Sequence, residues 1–418
     1  MTSRKYDVIV IGAGVVGLAC AYFLARVGRS VCVIDSNAPG SGASNGNAGL
    51  ITPSHALPVC RPGAVTEALK SLLNPSAPLV LKPKAIPGML RWMLTFAKNT
   101  KPERTEEILA ARLPLLQASR LLTEKLVKSE KLDVGWSPTG VMSVCKTQAG
   151  YERLGNFVER ASALGLDVEL LEGQALERRE PALVSEVAGA ALHRGDAQVQ
   201  PAQFTTELAR LCRERGVTFE IGRAVTTLNT EQGAVHSAYT SPGLHQADHY
   251  LLAAGVWSAQ LLKPLGLRLP LQPGKGYSVT GKAPEPCPIR ALILEERSIA
   301  VTPFSEKYRL AGTMEFSGLD DRMDPRRVGA LVDGAAEYLR EPIGKGQQQH
   351  WYGYRPMTPD DMPLIGSAPG ISNLTLACGH NMLGMSMAMA TGRLATELIA
   401  GAKPHIDPAP YAPDRYAT

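Results

Sequence analysis

The chain opens with an apolar run that breaks into glycines and then recovers helical spacing: YDVIVIGAGVVGLACAYFLARVGRSVCVID over residues 6–35. No other stretch of the 418 residues restricts the fold so tightly. Val8 to Ile11 is continuously apolar, as suits a parallel strand buried on both faces. Gly12, Gly14 and Gly17 make GxGxxG, helical spacing runs from Val15 to Val27, and Gly28 supplies a stop. Ser30 to Ile34 is a second buried strand, ended by Asp35. The glycines permit, in turn, a tight turn, close approach of backbone to a pyrophosphate, and close helix–strand packing. The helix N-terminus offers N–H donors and a positive dipole end to phosphates. Asp35 falls 18 residues after Gly17, where a carboxylate can accept both hydroxyls of a ribose. Strand, helix, strand and acid in this order predict a dinucleotide site on a Rossmann-like α/β fold.

A secretion signal does not explain the same stretch. Arg4 and Lys5 resemble a basic leader, but glycines interrupt the apolar run and no Ala-x-Ala-type site closes it. Arg26 and Arg29 sit where a membrane span would continue, and no other segment reaches spanning length. The expectation is a cytoplasmic protein, at most peripheral on the inner membrane. A net charge of +5 with basic and acidic residues interleaved, as in ERLGNFVER, excludes a nucleic-acid stripe. Seven scattered cysteines without a CxxC pair indicate reduced thiols. The eight histidines lack ligand spacing such as HExxH, so no metal is expected.

The residues after Asp35 select the dinucleotide. Ser36 and Asn37 follow with no arginine for a 2′-phosphate, and no second GxGxxG exists for a flavin–nicotinamide enzyme. Residues 37–53, NAPGSGASNGNAGLITP, form a small-residue loop that lets an extended cofactor lie against backbone. A nicotinamide cofactor has no need of this second cradle, whereas FAD has an isoalloxazine to seat.

Farther along, Pro201 to Arg215 reads as a helix, with Phe204, Leu208, Leu211 and Cys212 on one face and Gly216 as its stop. Val217 to Leu228 is expected to add strands to the nucleotide sheet, and Tyr250 to Ala254 another buried strand. Short β-like runs at 134–145, 188–194, 271–280, 289–301 and 308–316 suit a second, substrate-side sheet. Residues 85–98 place Met89, Trp92, Met93 and Phe96 on one helical face, expected to be core or lid.

IGAGVVGLACAYFLARVG, SGASNGNAGLITP, LLAAGVWS (251–258), GYRPMTPDDMPLIG (353–366) and ACGHNMLGMSMAMATGRL (377–394) together resemble the D-amino-acid oxidase superfamily of FAD enzymes. Within it they are most similar to bacterial D-amino-acid dehydrogenases, and the resemblance runs from Asp7 to about Gly401. It implies an FAD domain assembled from residues 1–83, 195–267 and 351–418. A mostly antiparallel sheet with helices, residues 84–194 and 268–350, is the inserted substrate domain. Besides the three glycines and Asp35, it implies FAD contacts from Val15, Val16, Ser36, Ser44, Asn47, Ala48, Gly49 and Leu50. Val225, Ala254, Gly255, Trp257, Gly379 and Met382 to Ser386 (Leu383, Gly384 and Met385 between them) complete that set. The sarcosine-oxidase branch has a flavin-linking cysteine seven residues before the Asp of its TPD; here that position is Gly353, so non-covalent FAD is expected.

Oxidation of an amino acid to its imine moves a hydride from Cα to flavin N5, which requires a held carboxylate and an electron-accepting ring. Arg355 matches the family's substrate arginine, and its planar fork suits a carboxylate; pairing with Asp360 or Asp361 is the structural alternative. Tyr277 and Tyr352 or Tyr354 are candidate hydroxyl donors, or packing residues. The helix beginning near Gly384 would stabilise negative charge at the flavin edge, with His380 either assisting or serving structurally. No general base is evident. Where the similar dehydrogenases carry a tyrosine after the NAG loop, this chain has His55, and Val59 stands where a tryptophan is common. These departures suit a cyclic or hydroxylated imino acid, D-proline or cis-4-hydroxy-D-proline, with electrons passed to a quinone or another carrier. An oxygen-using amino-acid or N-methyl-amine oxidase, and a non-catalytic FAD-binding subunit, are the alternative readings.

Overall fold

The computed structural model describes residues 5–71 and 77–416. Its opening follows from the sequence directly: strand Tyr6–Ile11, helix Val15–Arg26, strand Val31–Asp35. Both strands are buried on both faces because they lie inside a six-stranded sheet. Across that sheet the order is 364–367, 374–378, 247–252, 6–11, 31–35, 218–221, parallel except for the first strand. The first helix packs on the C-terminal helix Gly384–Ile399, so closely that a Cβ on Gly392 would stand 2.5 Å from the Ala19 carbonyl carbon. Helix Pro201–Glu214 covers the first helix with Phe204, Leu208, Leu211 and Cys212 buried.

One expectation fails here. Only Thr218–Ile221 of the 217–228 stretch joins the nucleotide sheet; Val225–Glu231 pairs instead with Ala234–Thr240 in a separate three-stranded antiparallel sheet. Gly222, at φ 78°, turns the chain out of the first sheet, and the exposed positions of Val225–Glu231 suit a half-solvated sheet.

A second, nine-stranded sheet takes the β-like runs of the sequence. Its order is 349–357, 272–282, 307–316, 299–304, 291–294, 141–145, 189–193, 168–171, with Leu79–Leu81 added beside 307–316. All pairs are antiparallel except 291–294 with 141–145 and 79–81 with 307–316. Strand Gln349–Met357 runs across residue 351, where the third nucleotide segment is expected to begin, and pairs in this second sheet. Helix Ile86–Lys98 buries Met89 and Trp92 against Phe316 and Met357, and Trp92 Nε1 donates to the Met357 carbonyl at 3.0 Å.

The small-residue loop is clamped to this second sheet. Arg309 Nη1 donates to the Asn45 and Asn47 carbonyls at 3.0 and 2.7 Å, and Thr302 Oγ1 to the Ala48 carbonyl at 2.8 Å. The nucleotide turn, the loop and the second sheet therefore enclose one space. Among the described residues no helix is long and apolar enough to cross a membrane, and no cluster of potential metal ligands occurs.

Candidate active site

That space is a cavity of about 1590 Å³ running from the GxGxxG turn to the second sheet. Gly12, Gly14, Val15, Val16, Asp35 and Ser36 line its nucleotide end, with Val225, Ala254, Gly255 and Trp257 beside them. Ser44, Asn47, Ala48 and Leu50 also line the cavity, as do Met382, Leu383, Gly384, Met385 and Ser386. Arg355, His55, Tyr277, Tyr354 and His380 face the same cavity. Gly17, Gly49 and Gly379 stand behind the wall. A Cβ at Gly17 would meet the Gly12 carbonyl oxygen at 1.9 Å, one at Gly49 the Val199 oxygen at 2.1 Å, and one at Gly379 the Thr358 methyl at 2.8 Å.

The fit to FAD is legible at Gly14. Gly12 and Gly17 are closed by protein, but a Cβ on Gly14 would meet only Ser44 Oγ, at an ordinary 3.6 Å. That face is open to the cavity, as close approach of a pyrophosphate requires. Asp35 Oδ2 accepts from Ala13 N at 2.7 Å and Oδ1 from Asn37 N at 2.8 Å, fixing the carboxylate at the strand end. Ser44 Oγ accepts from Val15 N at 3.1 Å, tying the loop to the first helical turn. Opposite, the helix Gly384–Ile399 begins at the cavity wall, its N-terminal end suited to a developing anion. Ser386 in its first turn donates to the Leu50 carbonyl at 2.8 Å and accepts from Thr52 N at 3.1 Å. The Asn381 side chain accepts from Thr358 N at 2.7 Å and holds the preceding loop.

Arg355 lies flat over Gly276, whose absent Cβ would stand 2.3 Å from Nη1. Its Nη1 donates to the Thr313 carbonyl at 2.7 Å and Nη2 approaches the Gly312 carbonyl at 3.5 Å. The expected structural partners are both taken: Asp360 by Arg415 Nε at 2.8 Å, Asp361 by Arg112. Burial lowers the Arg355 pKa to about 10, so it remains a cation in neutral solution. Its remaining contact is the Met314 thioether sulfur, 3.9 Å from Nη1, so among the described residues no carboxylate pairs with this desolvated guanidinium.

The tyrosines are committed differently. Tyr277 donates its hydroxyl to Glu315 at 3.2 Å and Tyr354 to Asp321 at 3.3 Å, so neither is a free donor. Burial, then the neighbouring carboxylates, pushes both phenols well above their ordinary range. His380 Nε2 is 2.9 Å from Thr391 Oγ1, and burial lowers its pKa to about 3. It faces the cavity as a neutral, hydrogen-bonded ring.

Ser54, Arg112 and His193 line the same cavity around His55 and carry no sequence signal. His55 sits in the short 3₁₀ turn Pro53–Ala56, with its ring centroid 6.4 Å from that of His193. Ser54 Oγ lies 3.2 Å from His55 Nδ1 and donates to Asp196 Oδ2 at 2.5 Å, while Ser54 N donates to Asp196 Oδ1 at 3.1 Å. Arg112 holds the turn by donating Nη2 to the His55 carbonyl at 3.1 Å. Burial, then the Arg112 charge, lowers His55 to about 4; burial, then His55, lowers His193 to about 3. Burial raises Asp196 to about 7.

A family model described as FAD dependent oxidoreductase (DAO) matches residues 7–398. A D-amino acid dehydrogenase of Allorhizobium ampelinum is 35% identical over 98% of both chains. One of Agrobacterium fabrum is 33% identical over 98% of this chain and all of its own. Among solved structures, glycine oxidase from Geobacillus kaustophilus superposes with a TM-score of 0.81 at 23% identity, covering 99% of this chain and 100% of its own. L-proline dehydrogenase from P. horikoshii reaches 0.76 at 19% identity, covering 99% and 98%. With the nucleotide turn, the open face of Gly14 and a family match over nearly the whole chain, this protein belongs to the DAO family of FAD-dependent oxidoreductases, and FAD is its cofactor.

Proposed function

We propose that the chain is a dehydrogenase of D-amino or cyclic imino acids, of the D-proline and cis-4-hydroxy-D-proline type, that passes electrons to a quinone or similar carrier. The observation that carries this reading is Arg355: a cavity-lining cation whose available carboxylates are neutralised elsewhere. Bound FAD supplies the two-electron acceptor. The protein's own part is to seat the substrate carboxylate on Arg355, whose guanidinium lies over Gly276 at the cavity wall. The resemblance to proteins named D-amino acid dehydrogenase, over full length, supports the D-series and a carrier other than oxygen. His55, neutral and facing the cavity, supports a substrate with a polar ring. Peripheral membrane contact is the matching expectation for a quinone partner. Arg355 and the intact flavin-edge helix weigh against a non-catalytic subunit, since a scaffold needs neither.

Anaerobic mixing of the purified holoenzyme with D- and L-amino acids, including both prolines, tests the reading. The expected result is flavin bleaching with D-proline-type substrates, followed by slow reoxidation in air. Fast peroxide formation would make the protein an oxidase, and no bleaching with any amino acid would refute the substrate class.

A further inference from the structure

Asp196 and Ser54 lie on different elements, 142 residues apart, yet form a buried chain that ends on the ring of His55. We infer that Ser54 and Asp196 are positioning residues that set the tautomer of His55, making its Nε2 a hydrogen-bond acceptor for a hydroxyl or N–H on the distal part of the substrate. This rests on the proposed amino- or imino-acid substrate and names how its side chain is read.

Ser54 has one hydroxyl hydrogen, and the 2.5 Å contact places it on the way to Asp196 Oδ2. The lone pairs of Ser54 Oγ then face His55 Nδ1 at 3.2 Å, so Nδ1 carries the ring hydrogen. The ring is neutral, which leaves Nε2 a lone pair, without a protein partner among the described residues. His55 lines the cavity, so that lone pair is available to a ligand. Beside it stands His193, only 2% exposed, whose Nδ1 is buried without a partner. Two neutral imidazoles with unmatched polar atoms in one cavity wall are what a site for a hydroxyl or secondary amine contains, because such atoms are costly unless a ligand pairs them.

The same geometry contains a switch. When Asp196 takes a proton, it donates to Ser54, Ser54 must turn its hydrogen to His55 Nδ1, and the ring hydrogen moves to Nε2. The subsite then donates where it formerly accepted. The carboxyl titrates near pH 7 because burial opposes its charge. The charged and titratable groups around this chain are Arg120, whose Nε donates to the Gly195 carbonyl at 3.2 Å and whose Nη1 pairs with Glu124, Arg112 with its partner Asp361, and His193. The two histidines, lowered to about 4 and 3, are neutral above pH 5, whereas Asp196 titrates near 7; burial also raises the Asp361 carboxyl, opposed by the Arg112 charge beside it.

Asp196→Asn tests the assignment. Its amide donates to Ser54 permanently and inverts the chain, by the same logic that spoils a catalytic triad when its aspartate becomes asparagine. The holoenzyme and the variant, both with full flavin content, would be compared at pH 6 to 8.5 with cis-4-hydroxy-D-proline and D-proline. In the native enzyme the kcat/KM ratio of hydroxylated to plain substrate is expected to fall about tenfold from pH 8 to 6. The variant is expected to show the lower ratio at every pH, and Ser54→Ala a ratio independent of pH. Independently of any turnover, ¹⁵N-histidine NMR of the holoenzyme, with His55→Gln for assignment, should find Nε2 unprotonated at pH 8 and protonated in Asp196→Asn. A protonated Nε2 in the native enzyme at pH 8, or a substrate ratio that ignores both variants and pH, overturns the inference. If neither substrate bleaches the flavin but the NMR result holds, the substrate reading fails while the tautomer assignment stands.

Discussion

Thr313 presents its carbonyl to Arg355 Nη1 at 2.7 Å from a left-handed backbone, φ 60°, that a β-branched residue rarely adopts. Such a conformation is held only where the surroundings enforce it, at a cost of about 1–3 kcal/mol. Here it supplies the shortest polar contact of the arginine, and no carboxylate pairs with Arg355 among the described residues. Arg355→Met should therefore lower kcat/KM by about 3–5 kcal/mol, since a desolvated substrate carboxylate loses its charged partner. Flavin content should be unchanged. A fully active variant in steady-state assays would place carboxylate recognition elsewhere.

Gly276 supports the same arginine from beneath. A methyl group there would stand 2.3–2.4 Å from three guanidinium atoms, so Gly276→Ala must displace the side chain. Overpacking of this kind costs about 1–3 kcal/mol, and here it should appear mainly as a raised KM for substrate with normal flavin content. Unaltered KM would mean that the guanidinium finds its working position without this floor.

At the other end of the cavity, Asp35 is oriented by two backbone N–H donors. Asp35→Ala should weaken FAD retention by about 1–3 kcal/mol through lost charge-assisted bonds to ribose, measured as flavin lost on dialysis. Acid precipitation of the native protein should release all of the flavin as FAD. Flavin left on the denatured chain would contradict the non-covalent expectation drawn from Gly353.

The parts of this site that the sequence announces are those written within one segment. GxGxxG and Asp35 lie within 24 residues, and the strand–turn–helix that they imply forms as expected. Arg355 and the helix at Gly384 are legible through resemblance, each as a local pattern. What joins distant segments is silent: Arg112 meets Asp361 across 249 residues, Arg309 clamps the loop 262 residues away at Asn47, and Asp196 reaches back to Ser54. None of these pairs has a spacing rule, because folding alone brings them together. Val225–Glu231 departs from its expected sheet for a related reason: alternation identifies a strand but not its partner, which the turn at Gly222 decides.

His380 gives a prediction about acid stability. Its folded pKa, about 3, is depressed from the 6.5 of a free histidine by burial. The neutral ring thus contributes stability above pH 6.5 that is lost as the pH falls toward 3, at up to about 1.4 kcal/mol per pH unit. His380→Gln keeps a hydrogen-bonding group for Thr391 but cannot titrate. Urea unfolding of both proteins from pH 7 to 4 should show the variant gaining on the native protein by about 1 kcal/mol per unit below pH 6. Parallel curves would mean that the ring is not buried as a neutral base.

The substrate's ring is tested at His55, where this chain departs from the tyrosine expected of similar dehydrogenases. His55→Tyr removes the imidazole acceptor and substitutes a phenol that Ser54 and Asp196 cannot orient in the same way. A site built to pair a hydroxyl discriminates against analogues without one, because its own polar atom is otherwise left unmatched. Preference should shift from cis-4-hydroxy-D-proline and D-proline toward D-alanine-like linear substrates, with the ratio of kcat/KM values changing about tenfold. Ratios are the proper measure, since any general loss from disturbing the turn at Pro53–Ala56 affects all substrates alike and cancels. A solvated loop histidine would leave the ratio unchanged. Should the native enzyme prefer linear D-amino acids and His55→Tyr leave that ranking intact, the ring-substrate reading is wrong and the cavity beside His55 serves another part of the ligand.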